Sequence, residues 1–399
     1  MEKLDKFIGN LDQCVKCGAC RSGCPTFAAV RREGASARGR LSVVSAHIEA
    51  QVGFSDKYSE HIKNCTLCGS CASICPVGVN TPKIVLAARA ESAKEGGLTL
   101  GSSLFFKHIL NSKRLGPMSM KVASKVQGLI NVKGDDEKGP AKGFMSRFIL
   151  PYLGDGRPPP PLAKEFFLDS KEARLVRSLS GKEKKSDAVR VAFFAGCGIN
   201  YMLPDVGKST LRILAEHGAD VVVPQEQTCC GMPALSMGDT QTAKKLAIKN
   251  IEAFEALDVD FITTSCATCT YALKTKFTEL LEDEGLEMRS RLESFVSSVR
   301  DITELLEGEF KVEASKEKKD EVVTYHDPCH LSRGQSIKDA PRDLLAKSGL
   351  KFKELKNPCR CCGLGGGLGY TNYKLSMDIA RDKAKNIVDS KADIVATAC

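Results

Sequence analysis

The sequence has no tryptophan, no charge-free apolar run approaching the roughly 18 residues of a spanning helix, and no apolar leader behind its charged start. Its longest charge-free stretches, Val191 to Pro204 and Phe261 to Leu273, are shorter and broken by Gly, Asn, Thr and Ser. These absences predict a chain that neither spans a membrane nor is exported, and without export disulfides are not the expected fate of its thiols. Nucleotide-binding glycine motifs are missing too. Val206-Gly-Lys-Ser-Thr210 resembles the end of a phosphate-binding loop, but Met202 stands where the first glycine is needed. Gly363-Leu-Gly-Gly-Gly-Leu-Gly369 offers no G-x-G-x-x-G register. With no nucleic-acid-binding module either, nucleic acid is not an expected partner. At 399 residues, 42% hydrophobic and 27% charged, the composition is that of two or three ordinary globular domains, not of a disordered or collagenous chain.

Cysteine is what the chain has in excess, with 18 residues in two blocks. Eight lie between Cys14 and Cys75, and ten between Cys197 and Cys399. The cysteine-free middle, 101–190, carries 18 Lys or Arg against 9 Asp or Glu, a surplus equal to the +9 of the whole chain. With Gly-Asp-Asp-Glu-Lys-Gly-Pro at 134–140 and the run Pro158 to Pro161, it reads as a basic, largely irregular connector. Leu104, Phe105, Phe106, Ile109 and Leu110, followed by Lys113, Arg114, Lys121 and Lys125, predict a basic amphipathic helix. Such a helix either packs on a neighbouring domain or faces a membrane or partner.

The two N-terminal strings, Cys14 to Pro25 and Cys65 to Pro76, are both C-x2-C-x2-C-x3-C-P. In this bacterial ferredoxin run, three close thiolates hold one cubane 4Fe-4S cluster and the fourth reaches the other. The spacing assigns Cys14, Cys17, Cys20 and Cys75 to one cubane, and Cys65, Cys68, Cys71 and Cys24 to the second. Gly18 and Gly69 are the small residues expected to let the backbone approach each cluster. Zinc modules instead use two C-x2-C pairs separated by a longer loop. The insert between the strings predicts a helix over Leu41 to Ala50. It also carries Arg31, Arg32, Arg38 and Arg40, either a solvated surface or charge compensation for anionic clusters.

From 190 onward the hydrophobic pattern alternates strand and helix: strand 191–195, helix 204–217, strand 219–223, helix 239–257, strand 260–264. The order then repeats as strand 321–325, helix 341–347, strand-like 351–355, helix 375–388 and strand 393–397. Cys197 to Cys229 and Cys329 to Cys361 are both 32 positions, Cys230 to Cys266 is 36 and Cys362 to Cys399 is 37. Asp260, Thr264 and Cys266 match Asp393, Thr397 and Cys399 at identical offsets, so the unit is duplicated. Five thiols on strand ends can converge at the carboxyl edge of a sheet, and an adjacent pair such as Cys229-Cys230 suits a multi-iron centre better than one zinc. The predicted fold class is α+β multidomain: a helical dicluster ferredoxin domain (1–100), the connector (101–190), and two α/β cysteine-rich modules (191–310 and 320–399).

With Cys229-Cys230-Gly231, Cys266-x2-Cys269, Ala195-Gly-Cys-Gly198 and Tyr325-His-Asp-Pro-Cys-His-Leu331, the chain resembles the cysteine-rich "CCG" iron-sulfur oxidoreductases over nearly its whole length. These include the iron-sulfur subunit of glycolate and lactate dehydrogenases, the corresponding subunit of anaerobic glycerol-3-phosphate dehydrogenase, and the catalytic subunit of heterodisulfide reductase. The resemblance implies a non-cubane 4Fe-4S cluster on Cys197, Cys229, Cys230, Cys266 and Cys269, with Gly231 close to it. A second would sit on Cys329, Cys361, Cys362 and Cys399, with Gly363 alongside. There the family's final C-x2-C is incomplete: either the sequence is truncated or that site has one thiol fewer, so one or two non-cubane clusters are expected. Cys359 is read as an idle thiol, and His326 and His330 as hydrogen-bonding neighbours of the ligands. The implied function is electron transfer from the reduced flavin of an FAD-containing 2-hydroxy-acid dehydrogenase subunit to a quinone or other carrier. The rival is disulfide cleavage at a C-terminal cluster. The expected location is cytoplasmic, with peripheral attachment to the inner face of the membrane left open.

Overall fold

The computed structural model describes residues 4–98, 106, 115–132, 141–142, 161–180 and 188–399. Leu104, Phe105, Ile109, Leu110, Lys113 and Arg114, the turn at 134–140 and Pro158 to Pro160 lie outside the described residues.

The N-terminal part is helical, and its helices start where a polar side chain can take up a free N–H. Ser36 accepts from Gly39 N to open the helix Ala37–Ile48, Ser55 from Tyr58 N to open Asp56–Lys63, and Asn80 from Lys83 N to open Thr81–Gly96. The last of these buries Ile84, Val85, Leu86, Ala87 and Ala88. Their core is continuous with that of the first α/β module, where Phe194, Leu246, Phe254 and Phe277 belong to the same apolar cluster as Val44, Ile62 and Ile84. The helix Leu115–Ile130 lies in the basic connector. Gln127 and Ser124 tie it to the backbone of Leu162 and Ala163, while Leu115, Met118, Val122 and Val126 are exposed. A two-residue ladder, Asn131–Val132 (β1) with Ala141–Lys142 (β2), follows it.

The first module is a parallel sheet of Arg190–Phe193 (β3), Asp220–Val222 (β4), Phe261–Thr264 (β5) and Val299–Asp301 (β6), ordered β4-β3-β5-β6. The second is Val322–His326 (β7), Lys351–Phe352 (β8) and Ile394–Thr397 (β9), ordered β8-β7-β9 and again parallel. Each sheet begins at its central strand and then adds a neighbour on either side, so the strand order reverses beside β3 and β7. The carboxyl edge at such a reversal is the usual ligand position in open α/β sheets. β6 and the helix Leu286–Ser298 that leads into it extend the first module beyond the repeat.

The repeat persists in its hydrogen bonds. Asp260 accepts from Arg190 N and Asp393 from Val322 N, both at 2.8 Å, so each aspartate fastens the start of its module's central strand. Asn250, on the helix Thr240–Glu255, donates to Cys229 O at 3.0 Å. At the matching place on Tyr373–Val388, Lys383 donates to Pro358 O at 2.9 Å. Burial lowers the Lys383 ammonium to about 8, whereas the unfolded chain holds that proton up to the usual value of 10.5. Between those pH values the unfolded state binds more protons, so this residue's contribution to stability rises with pH across the window. Thermal unfolding from pH 8 to 10.5 is expected to show a smaller upward slope in Lys383→Met than in the parent chain.

Candidate metal centres

The two ferredoxin-type strings fold into matching loops. In each, a left-handed residue precedes the second cysteine (Lys16, φ 54°; Leu67, φ 54°) and a left-handed glycine follows it (Gly18, φ 81°; Gly69, φ 73°). Two such turns around one cysteine curl the chain tightly enough for thiols three apart to face one point. Cys24, Cys65, Cys68 and Cys71 line a single cavity, with Arg40, Thr66 and Pro82 on its wall. All four come from the set that the spacing groups together, and thiolate sulfurs are the donors an iron-sulfur cluster takes. In the other loop, Cys20 lies in the electrostatic field of Cys14 and Cys24, and burial raises its thiol above the ordinary value. Cys17 is exposed. Cys75 accepts from Val79 N at 3.4 Å and follows the helix Ser70–Ile74, which packs on the Cys20 turn.

The insert's arginines divide between the two readings offered for them. Arg31 and Arg32 are exposed. Arg38 donates to Lys16 O at 2.6 Å, holding the first loop. Arg40, 1% exposed, donates to Ala35 O, His61 O, Asn64 O and Thr26 Oγ1 beside the second.

In the first module, Cys197 follows β3, Cys229 and Cys230 follow β4, and Cys266 and Cys269 follow β5. The structure brings all five together. Cys229 Sγ lies 3.6 Å from Cys197 Sγ, Cys230 accepts from Cys229 and Cys269, and Cys266 accepts from Cys269. Buried thiols cannot all ionise side by side, so they share protons in pairs. Cys197, Cys229 and Cys269 are pushed up, while Cys230 and Cys266 fall to about 6 and about 7. Five thiols exceed the four positions of a tetrahedral ion and match a multi-iron centre. Among the described residues, no three His, Cys, Asp or Glu side chains gather around one metal-ion position.

The second module repeats this with Cys329 after β7, Cys361 and Cys362 after β8, and Cys399 after β9. The Cys362 thiolate accepts from Cys361 and is hydrogen-bonded by His326, which draws it down to about 4. Burial raises Cys329 and Cys399 to about 12. His330 sits between the modules. Its Nδ1 is 2.9 Å from Thr268 Oγ1, its ring stacks on Tyr271 at 5.0 Å, and burial lowers it to about 4, so it is neutral at physiological pH. Thr268 also reaches Cys399 Sγ at 3.6 Å, and Ala267 N donates to Ala398 O, so the end of β9 rests on the Cys266 turn.

Cys359 turns away from these thiols and donates to Asp327 Oδ2 at 3.2 Å. It stands where the first module has Gln227, which accepts from Ala195 N at 2.8 Å; both bind the chain just after the central strand. A Cβ on Gly231 would meet Ala243 at 3.3 Å and one on Gly363 would meet Ser376 O at 2.4 Å, so both left-handed turns abut the following helix. The rest of the glycine run packs on the ferredoxin part, since a Cβ on Gly365 would lie 2.5 Å from Thr66 O and one on Gly366 2.4 Å from Cys65 O.

That contact belongs to a junction between the second loop and the second module. Cys68 accepts a hydrogen bond from Cys361 and falls to about 5, Arg333 Nε donates to Cys68 O at 2.8 Å, and Asn372 donates to Asn64 Oδ1 at 3.1 Å. Nothing in the cysteine spacing pointed to Arg333 or to Arg89, whose guanidinium enters the same junction. The one hint for Arg89 is a charge inside the apolar face Ile84 to Ala88.

Paired ferredoxin-type loops and a twice-used thiol-lined sheet edge define an iron-sulfur protein. Comparison with known families agrees: a 4Fe-4S dicluster domain matches residues 10–79, and a cysteine-rich domain matches 191–274 and again 323–399. The chain is 30% identical over 403 residues to a probable glycolate oxidase iron-sulfur subunit of Bacillus subtilis, covering 100% of this chain and 88% of that one. It is 27% identical over 414 residues to one subunit of the dihydromethanophenazine:CoB-CoM heterodisulfide reductase of Methanosarcina acetivorans (98% and 86% covered). It is 30% identical over 396 residues to one subunit of the CoM/CoB fumarate reductase of Methanothermobacter marburgensis (97% and 65% covered). The chain belongs to the CCG cysteine-rich iron-sulfur family of these proteins. Among the described residues, no helix is long and apolar enough to cross a membrane.

Proposed function

We propose that this chain is the iron-sulfur electron-transfer subunit of an FAD-dependent 2-hydroxy-acid dehydrogenase complex of the glycolate or lactate type. It passes electrons from the partner's reduced flavin to a quinone or another carrier. Cys14, Cys17, Cys20 and Cys75 hold one cubane, and Cys65, Cys68, Cys71 and Cys24 the other. Cys197, Cys229, Cys230, Cys266 and Cys269 hold a non-cubane cluster, and Cys329, Cys361, Cys362 and Cys399 offer a second site. Bound there, the clusters supply one-electron transfer, which is what a two-electron flavin needs in order to discharge to a distant acceptor. The domain limits 1–100, 101–190, 191–310 and 320–399 belong to the same proposal, as does a cytoplasmic location with peripheral attachment to the inner face of the membrane.

The observation that supports this reading most is the approach of Cys361 to Cys68, close enough for the two thiols to shift one another. It joins a ferredoxin loop to a cysteine-rich module through adjacent sulfurs, as a relay requires. The residues around it keep both loops fixed: Arg333 holds the Cys68 carbonyl, and Asn372 holds Asn64. A heterodisulfide-reductase-like activity is the second reading. It draws on the meeting of Cys399 with the Cys266 turn beside His330, where thiol-bearing groups of two modules face one another. Service in an anaerobic glycerol-3-phosphate dehydrogenase uses the same relay with another flavoprotein.

The test is anaerobic mixing of the iron-loaded chain with the candidate flavoprotein. Glycolate or lactate is expected to bleach the iron-sulfur absorbance only when the flavoprotein is present. Reoxidation of the dithionite-reduced chain by a disulfide, with no bleaching by any hydroxy acid, would favour the second reading.

A further inference from the structure

The side chain of Arg89, only 2% exposed, donates to five carbonyl oxygens drawn from three parts of the chain. Ile62, Lys63 and Cys65 belong to the N-terminal part, Ser236 to the first module and Gly366 to the second, at 2.6 to 3.1 Å. Packing leaves the backbone around it no room to shift, since a Cβ on Gly238 would lie 2.3 Å from Arg89 O. Among the described residues, no carboxylate pairs with Arg89. The ionisable groups nearest in effect are Cys65, which would oppose its charge only as a thiolate, and Arg40, which repeats it. Two buried guanidinium groups therefore sit beside one loop with only carbonyl and hydroxyl oxygens around them. Carbonyl dipoles offset part of the desolvation of such charges, but a fully buried cation still calls for a counter-charge. Arg40 is on the wall of the cavity that Cys24, Cys65, Cys68 and Cys71 line, so the negative charge belongs there.

We propose that Arg89 is a positioning residue whose counter-ion is the cluster held by Cys65, Cys68, Cys71 and Cys24, and that it ties occupancy of that site to the docking of both cysteine-rich modules. This rests on the cluster assignment proposed above. A tetrathiolate-bound cluster is anionic and gains one further negative charge on accepting one electron. The guanidinium stays protonated throughout and gains attraction from that charge, so it favours the reduced state. Its six hydrogen bonds meanwhile hold Gly366 and Ser236 against the loop that carries Cys65. With the site empty, the same charge is uncompensated at the place where the three parts meet, and the contacts there loosen.

The experiment uses the full chain, reconstituted anaerobically, as parent, Arg89→Gln and Arg89→Lys. Iron is counted first, and the cubane signals are then titrated by EPR against potential. Arg89→Gln is expected to lower the reduced-to-oxidised ratio of one cubane about tenfold at fixed potential, equivalent to about 59 mV for a one-electron couple. Arg89→Lys, which keeps the charge and loses the fork, stays within about threefold of the parent. A measurement that needs no variant is hydrogen exchange of the parent chain with and without iron. Removal of iron is expected to speed exchange of amides in 62–67 and 363–368 at least tenfold, with the helix Leu286–Ser298, which carries no proposed ligand, unchanged. Full iron content with an unchanged potential in Arg89→Gln, or equal exchange in the iron-free and loaded parent, would overturn the proposal. A folded parent that takes up no iron would instead overturn the cluster assignment beneath it.

Discussion

Replacing Cys230 by alanine is expected to remove about four irons per chain while leaving the EPR signals of two reduced cubanes in place. Cys230 is buried, accepts hydrogen bonds from both Cys229 and Cys269, and lies at the middle of the five-thiol group. Its loss breaks the chain of proton-sharing contacts from Cys197 through to Cys266. The ferredoxin loops do not depend on it, because their thiols are held by their own left-handed turns and by Arg38 and Arg40. The same count on Cys359→Ala should match the parent, since that thiol is spent on Asp327. A Cys359→Ala chain that lost iron would reassign Cys359 as a ligand.

Asp327→Ala should lower unfolding stability by about 3 kcal/mol, measured by denaturant titration of the iron-loaded chain. The Asp327 side chain, 4% exposed, is bound by both Nη1 and Nη2 of Arg342 at 3.0 and 2.9 Å and also accepts from Cys359. Arg342 lies over the buried Tyr325 ring at 5.5 Å, so removal of the carboxylate leaves the Cys359 thiol without its acceptor and a partly buried cation with only the more exposed Glu354 and Lys338 O as partners. The exposed pair Lys351–Asp320, at the similar distance of 2.8 Å, is the control. Lys351→Ala there is expected to cost less than about 1 kcal/mol, because solvent screens both charges. Equal losses in the two variants would show that burial of the Asp327 pair contributes nothing.

The parts of this molecule that were legible in the sequence are those with a local signature. Eight cysteines at ferredoxin spacing, adjacent cysteine pairs, and alternating apolar runs ending in glycine all carry their meaning within a dozen residues. Asp260 and Asp393 were visible as a repeat, and their shared hydrogen bond to the central strand gives the repeat a cause. β6 and the helix before it stand outside the duplication, so the internal comparison gave them no support. The packing of the glycine run is opaque for a related reason. Gly365 and Gly366 are small because residues some 300 positions away press on them, and no local pattern encodes that neighbour. Arg89 is the extreme case. Its acceptors are backbone carbonyls, which every residue possesses, separated from it by 24 to 277 positions. Arg38 and Arg40 likewise look like surface charge in one dimension and become loop anchors only after folding.

Iron and acid-labile sulfide counting on the anaerobically prepared chain, with Mössbauer spectra of the same sample, tests the central claim most directly. Two ferredoxin-type clusters require about 8 iron atoms, and each occupied cysteine-rich module adds about 4 with a spectrum distinct from the cubanes. A folded chain that holds zinc and no iron, or iron without equimolar sulfide, would contradict it.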